Sequence, residues 1–243
     1  MRAYIGHLII AAAVILAVII AASTLKYKFR SAETITVTGL AEKDFISDQI
    51  VWSGNFVRNG YDLKTVYDQV KSDEAEIKRY LNAAGIPDSS IVFSSVNMNR
   101  NYDQQYDPNG RMTGSTFTGY TLSESVTVDS RNLAQVEKMS REITNLLQRG
   151  IELNSSTPRY YYSRLNELKI DLLAKASADA QQRAESIATN SGASLGGLRK
   201  ANMGVFQITG KNSNEDYSYG GAFNTTSKEK TASITLRVDY EVQ

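Results

Sequence analysis

The stretch AKASADAQQRAESIATNSGASLG, residues 174–196, decides how the rest of the chain is read. Ala176, Ala180, Ala184 and Ile187 recur at spacings of three and four, and the same stripe runs upstream through Leu172, Leu168 and Leu165. That periodicity predicts one long helix from about Ser163 to Asn190, ended by Gly192. Its second half presents alanines where its first half presents leucines, so the helix axis can come close to whatever it packs on. Downstream, Leu195 to Phe206 reads as a strand. Thr209 to Glu229, rich in Asn, Ser, Gly and Tyr, reads as a loop or poorly ordered excursion. Thr231 to Val242 alternates as a final strand, with Ala232, Ile234, Leu236, Val238 and Tyr240 on one face.

Upstream, residues 34–58 have the β-branched and aromatic content of strands, including Trp52, which is assigned to the core. Asp62 is a suitable N-cap for a helix to about Ala84, with Leu63, Val66, Val70, Ile77 and Leu81 as its stripe, Gly85 at the left-handed C′ position and Pro87 beyond. Ile91 to Asn99 and Thr118 to Asp129 alternate as strands. The polar stretch between them, centred on Asp107-Pro108-Asn109-Gly110, predicts a long hairpin with a mobile tip. A second helix is expected from Ser130 to Arg149 with Gly150 as its cap residue, followed by a strand-like Ile151 to Tyr162. The helix ends Leu81-x-x-x-Gly85-Ile86 and Leu146-Leu147-x-x-Gly150-Ile151 form a weak internal repeat. The expected fold is therefore α+β: two related β-α-β type halves, mostly antiparallel sheets with helices on one face, plus the long Ala-rich helix.

These residues resemble the SIMPL-domain family of exported bacterial proteins, largely of unknown function, which includes periplasmic immunogenic antigens. The resemblance rests on Ile35-Thr36-Val37-Thr38-Gly39, on the Leu81 to Ile86 helix end before Ile91 to Asn99, and on Tyr120, Val126 and Val128 leading to Arg131-Asn132-Leu133 and Val136. Its most specific part is Ala174-x-Ala176-x-x-Asp179-Ala180-x-x-Arg183-Ala184-x-x-Ile187-Ala188-x-x-x-Gly192 with Leu195-Gly196. The polar tip at Asp103 to Thr113 and the run Tyr160-Tyr161-Tyr162 depart from the family pattern. The resemblance implies an α+β domain, an envelope location and, in some members, large ring-like homo-oligomers. It supplies no catalytic residues.

Composition narrows the function classes. The 243 residues carry 27 basic and 26 acidic side chains, a net charge of +1, so the basic surplus of a phosphate-neutralising nucleic-acid binder is missing. No cysteine is present, and the one histidine, His7, lies in the apolar N-terminal run, which excludes thiol, Ser-His-Asp and Cys- or His-based metal chemistry on the body. From Leu8 to Ala22 every residue is Ala, Val, Ile or Leu. Extended over residues 5–25, the stretch reaches the roughly 20 residues needed to cross a bilayer as a helix. Residues 1–30 are accordingly expected to be a transmembrane signal anchor, or a cleaved signal peptide with Ala21-Ala22-Ser23 as its site. Residues 31–243 are expected to form the SIMPL-like body. Lys26, Lys28 and Arg30 outnumber Arg2 across the span, against the positive-inside rule for export, yet the secretory layout favours a single-pass inner-membrane protein with its body in the periplasm.

Other clusters have plain explanations. Asp103, Asp107, Asn109 and Gly110 lack the spacing and closing Glu of a calcium loop. Glu215-Asp216 and the pair Glu74 and Glu76 lack the fixed separation a glycosidase requires. The charges of Arg164 to Arg183 are of both signs, as on a solvated helix face, and Gly196-Gly197 is a turn. Fourteen tyrosines, among them Tyr102, Tyr106, Tyr217 and Tyr219 in polar contexts, suit a wet contact surface. The expectation is a non-enzymatic, self-associating envelope protein with no catalytic, cofactor or metal residues and no nucleic-acid partner. The alternative is a glycan- or protein-binding module using the Tyr-rich loops.

Overall fold

The computed structural model describes residues 13–24 and 33–242. Residues 13–24 form a helix, α1, with Val14, Ile15, Leu16, Val18, Ile19 and Ile20 all exposed. The predicted span over residues 5–25 extends past the described residues at both ends. Among the described residues no helix is long and apolar enough to cross a membrane.

The body contains two sheets. One has six strands: β2 (Gln49–Gly60), β3 (Ile91–Phe93), β4 (Asn97–Tyr106), β5 (Met112–Ser130), β6 (Leu153–Ser155) and β7 (Arg159–Tyr161). Its central order is β3-β5-β2-β6, with every pairing antiparallel. The chain runs β2, helix α2 (Leu63–Ala83), β3, β5, helix α3 (Leu133–Glu142), β6. This is the split β-α-β arrangement of ferredoxin-like sheets, so the two predicted halves interlock within one sheet. Ile50, Trp52 and Phe56 of β2 and Leu122, Val126 and Val128 of β5 point to one face, where Val66, Val70, Ile77 and Leu81 of α2 and Val136 and Met139 of α3 cover them. Trp52 is fully buried, as expected, and donates its indole N–H to Ser155 Oγ at 2.9 Å.

The repeat has a physical cause. Gly85 and Gly150 are left-handed, and the next N–H reaches back across each turn: Ile86 to Leu81 O at 3.0 Å, Ile151 to Leu146 O at 3.1 Å. Both are Schellman ends in which the apolar residue after glycine seals the core. The second helix does not stay α-helical to Arg149; it tightens to 3₁₀ geometry over Ile143–Arg149, which buries Ile143 and Leu146.

The second sheet has four strands in the order β1 (Thr34–Ile46), β10 (Glu229–Val242), β8 (Leu195–Met203), with β9 (Gln207–Gly210) also on β10. Helix α4 (Leu165–Asn190) lies on one face. Its buried residues are Leu168, Leu172, Ala176, Ala180, Ala184 and Ala188, a strict spacing of four. Ile187, expected in the stripe, is exposed because that row rotates slowly around the helix and reaches Ala188 instead. The alanines meet Gly39 of β1: a β-carbon there would lie 2.1 Å from Ala176 O and 2.8 Å from Ala180 Cβ.

Ser47 and Asp48 carry the chain from one sheet to the other, and the sheets are joined there. Ser47 N–H donates to Lys228 O and Asp48 N–H to Tyr161 O, both at 3.0 Å, while Ser163 N–H and Oγ donate to the Asp48 carboxylate at 2.7 Å. Two polar segments make specific hydrogen bonds. The strands of the long hairpin continue to Tyr106 and Met112. Its tip is a bonded turn in which Asp107 Oδ1 accepts the N–H groups of Asn109 (2.9 Å) and Arg111 (2.8 Å). The excursion 209–229 is a loop, as expected, and the side chains that tie it down define the candidate site.

Candidate functional site

Helix α4 occupies one face of the four-stranded sheet. On the opposite face the segment 211–224 folds back over β9 and β10 and shapes a cleft of about 230 Å³ lined by Leu40, Val205, Gln207, Tyr217, Tyr219 and Thr235, among others. Three polar side chains hold that segment. Gln207 donates to Ser218 O (2.8 Å) and accepts N–H groups from Ser218 (3.2 Å) and Ala222 (2.7 Å). Glu215 accepts the Gly210 N–H at 2.9 Å and the Asn224 side-chain amide, and these bonds hold its carboxyl below the usual glutamate range. Asn224 is buried, donates its N–H to Ile208 O (2.8 Å) and accepts from Ser227 N–H (2.8 Å). The lining mixes Leu40, Val205, Ile234 and the two tyrosines with Gln207, Ser233 and Thr235, and the Tyr217 hydroxyl lies 3.5 Å from Glu42 Oε1. Tyr219 is fully exposed. Chemically the cleft can stack or enclose a flat or apolar group and hydrogen-bond at its edge.

The structure separates the tyrosines singled out above. Tyr217 and Tyr219 line the cleft. Tyr102 lies in the hairpin arm with its ring 5.7 Å from Phe117, and Tyr106 lies near the arm's tip. Tyr160 and Tyr162 serve the joint between sheets: Tyr160 donates to Glu137 at 3.1 Å, and the Tyr162 ring packs tilted against Phe45, centroids 4.9 Å apart. The paired carboxylates do not converge either. Glu74 holds Lys71 at 2.5 Å, Glu76 binds Arg79 and Arg149, and Glu215 supports the loop. Asp171 and Asp179 pair at i,i+4 with Lys175 and Arg183, as interspersed charges on a helix should.

Besides Asp73, which Arg58 pairs, two buried ionisable groups were not anticipated from the sequence. Lys230 is almost fully buried, donates to Tyr160 O at 2.6 Å, and has its pKa lowered to about 8 by burial. Glu124 is buried beside Lys71 at 3.4 Å, with its Oε2 unpartnered; burial and then the Glu74 charge push its pKa up. Each had a signal. Lys230 continues the alternation of Ala232 and Ile234, and Glu124 falls between Leu122 and Val126 on the inward parity. The split Arg58–Asp73 pair supports the same core: the guanidinium grips both carboxylate oxygens, at 2.6 and 2.9 Å, and donates to Gly150 O at 2.8 Å.

Comparison with known proteins gives one match and one blank. A search among curated proteins finds no match. The profile of the SIMPL family, described as a protein of unknown function (DUF541), matches residues 35–242. That span takes in both sheets, α4 and the cleft segment, so the chain belongs to the SIMPL family.

Proposed function

We propose that this chain is a single-pass envelope protein, anchored in the bacterial inner membrane by its N-terminal segment. In this reading its SIMPL body works outside the cytoplasm by contact and self-association rather than by catalysis. The observation that carries it is α1. Six large aliphatic side chains between Val14 and Ile20 are 57–61% exposed all around the helix, a surface that water does not tolerate and lipid does. Absence of cysteine and the placement of the sole histidine at His7 favour contact over chemistry. Fractionation with alkaline washing should leave the protein in the membrane pellet, and N-terminal sequencing should recover Met1 or Arg2. A new terminus near Ser23 would mean a cleaved leader instead of an anchor. Protease added outside the inner membrane should digest residues beyond 30, and light scattering in mild detergent should give a mass above one chain.

The cleft favours a second reading, an envelope glycan- or protein-binding module. Deleting 209–229 cannot test it, because that segment contains buried Asn224 and adjoins Lys230. Replacing Tyr217 and Tyr219 together by alanine leaves the supports Gln207, Glu215 and Asn224 intact. Pull-down of peptidoglycan fragments or envelope proteins that survives this double variant places binding elsewhere.

A further inference from the structure

We infer that a second copy of this chain docks on the free edge of β1, pairing Thr34–Thr38 with itself across a two-fold axis to merge the two four-stranded sheets. The inference rests on the self-association proposed above and names its surface.

Among the described residues nothing pairs with this edge, and its phase is known. Leu40 donates its N–H away from β10, to Asp179 Oδ2 on α4 at 2.8 Å, while Glu33 O accepts from Val242 on the β10 side. Pairing with β10 runs without a register shift from Thr34 to Ile46. In an antiparallel ladder alternate residues face one way, so Thr34, Thr36 and Thr38 turn both N–H and C=O outward. Among the described residues these groups have no backbone partner. Asp179 ends the open stretch at Leu40 by occupying the next outward N–H.

The sequence on that edge is self-complementary. A two-fold perpendicular to the sheet can centre only on a residue, because outward groups of the two copies must meet. Centred on Thr36, it sets Thr36 against its own copy, Thr34 against Thr38 and Ile35 against Val37, all matched threonine or β-branched pairs. The run Thr34-Ile35-Thr36-Val37-Thr38 carries no charge, the charges of β1 (Glu42, Lys43 and Asp44) lying beyond Leu40, whereas β4 carries Arg100 and Asp103 and β8 carries Arg199 and Lys200. Charged edges repel added strands; an uncharged one admits them. The two-fold keeps both α4 helices on one face. Beside each edge lies a groove of about 620 Å³ between β1 and α4, into which Gln182, Arg183 and Ile187 project. The two grooves would become one, roofed by the two helices, with Asp179 and Arg183 of each copy offering opposite charges to the other.

The chain has no cysteine, so single-cysteine variants of the full-length protein report the register. Directly opposed residues of a hydrogen-bonded pair lie about 5.5 Å apart, within disulfide range. Thr36→Cys should therefore cross-link under mild oxidation in isolated membranes. Thr38→Cys should not, because its copy lies four residues along, about 14 Å away. The expected ratio of cross-linked dimer is at least roughly tenfold. Thr36→Pro should abolish association with an unchanged circular dichroism spectrum, since within the chain it removes only an outward N–H of an edge strand and one exposed hydroxyl bond, from Thr36 to Asp239 at 2.7 Å. If this variant loses its fold, the cysteine pair still decides. Equal cross-linking at both positions, or none at Thr36 in a protein that light scattering finds oligomeric, overturns this interface and leaves self-association standing. A monomeric wild type overturns both.

Discussion

Replacing Gly39 by alanine would put a methyl carbon 2.1 Å from Ala176 O, 2.7 Å from Ala180 N and 2.8 Å from Ala180 Cβ. None of these atoms is the end of a flexible side chain, so no rotamer change can make room. Comfortable carbon contacts begin near 3.5 Å, so α4 must rise from the sheet by about 1 Å along several turns. Overpacking of this kind costs about 1–3 kcal/mol. The lift also stretches the bond from Leu40 N–H to Asp179 (2.8 Å), worth about 1 kcal/mol more. The expected loss is therefore about 3 kcal/mol, read as a lower urea midpoint at unchanged slope, or a fall in Tm of about 10 °C. Gly197→Ala, on β8 with no atom within 4 Å of the added carbon, is the control and should change stability by less than about 0.5 kcal/mol. A Gly39→Ala protein as stable as that control would show that the small residues of α4 do not set the distance between helix and sheet.

Burial of Lys230 makes stability depend on alkaline pH. The unfolded chain keeps that proton to about 10.5 whereas the native one releases it at about 8, so the cost is full below pH 8 and is lifted as pH rises. Wild type should therefore gain about 2 kcal/mol between about pH 7 and 9.5 relative to Lys230→Met, and urea titrations with parallel pH slopes would refute this. Arg58→Ala strands a buried Asp73 and should cost about 3 kcal/mol, with Arg58→Lys restoring less than half because an ammonium cannot grip both oxygens; chemical denaturation of the two variants checks it. Glu124→Gln keeps the shape and removes a poorly solvated charge, and should stabilise by about 1 kcal/mol at neutral pH. Because the native pKa is raised, wild type closes that gap as acid protonates Glu124, so a gap that persists in urea melts at low pH would exclude this cause.

The helices, their glycine ends and the Gly-Ile repeat were legible because each is fixed by neighbours within a few residues. Gly85, Gly150 and Gly192 all take the left-handed conformation their position demands. The division into two sheets was not legible. β1 and β2 are separated only by Ser47 and Asp48 and have similar composition, yet β1 pairs with β10 at the far end of the chain while β2 pairs with β5. Nothing local distinguishes them, since alternation tells which face is buried and not which sheet supplies the cover. The segment 209–229 is the loop its composition suggests, but what ties it down was not legible. Its polar composition says nothing of partners, whereas Gln207, Glu215 and Asn224 bond their side chains to backbone groups beside β9, which is itself paired with β10.

Polar residues at inward positions carry the remaining information. A strand that alternates cleanly and then places lysine where a valine would fit departs from the rule that buried charge is avoided, and such departures concentrate where structure is strained or joined. Lys230 sits at that kind of point: its ammonium bonds to Tyr160 O on the other sheet, beside the Tyr160 N–H to Thr225 O bond of 2.7 Å. The two sheets are thus coupled near Tyr160 through backbone groups and one desolvated cation, with separate apolar cores on either side. A methionine at 230 would leave both cores intact and remove only the tie to Tyr160 O. If that tie fixes the angle between the sheets, hydrogen exchange in Lys230→Met should quicken at Tyr160 and Tyr161 and stay unchanged at Val70 and Ile77.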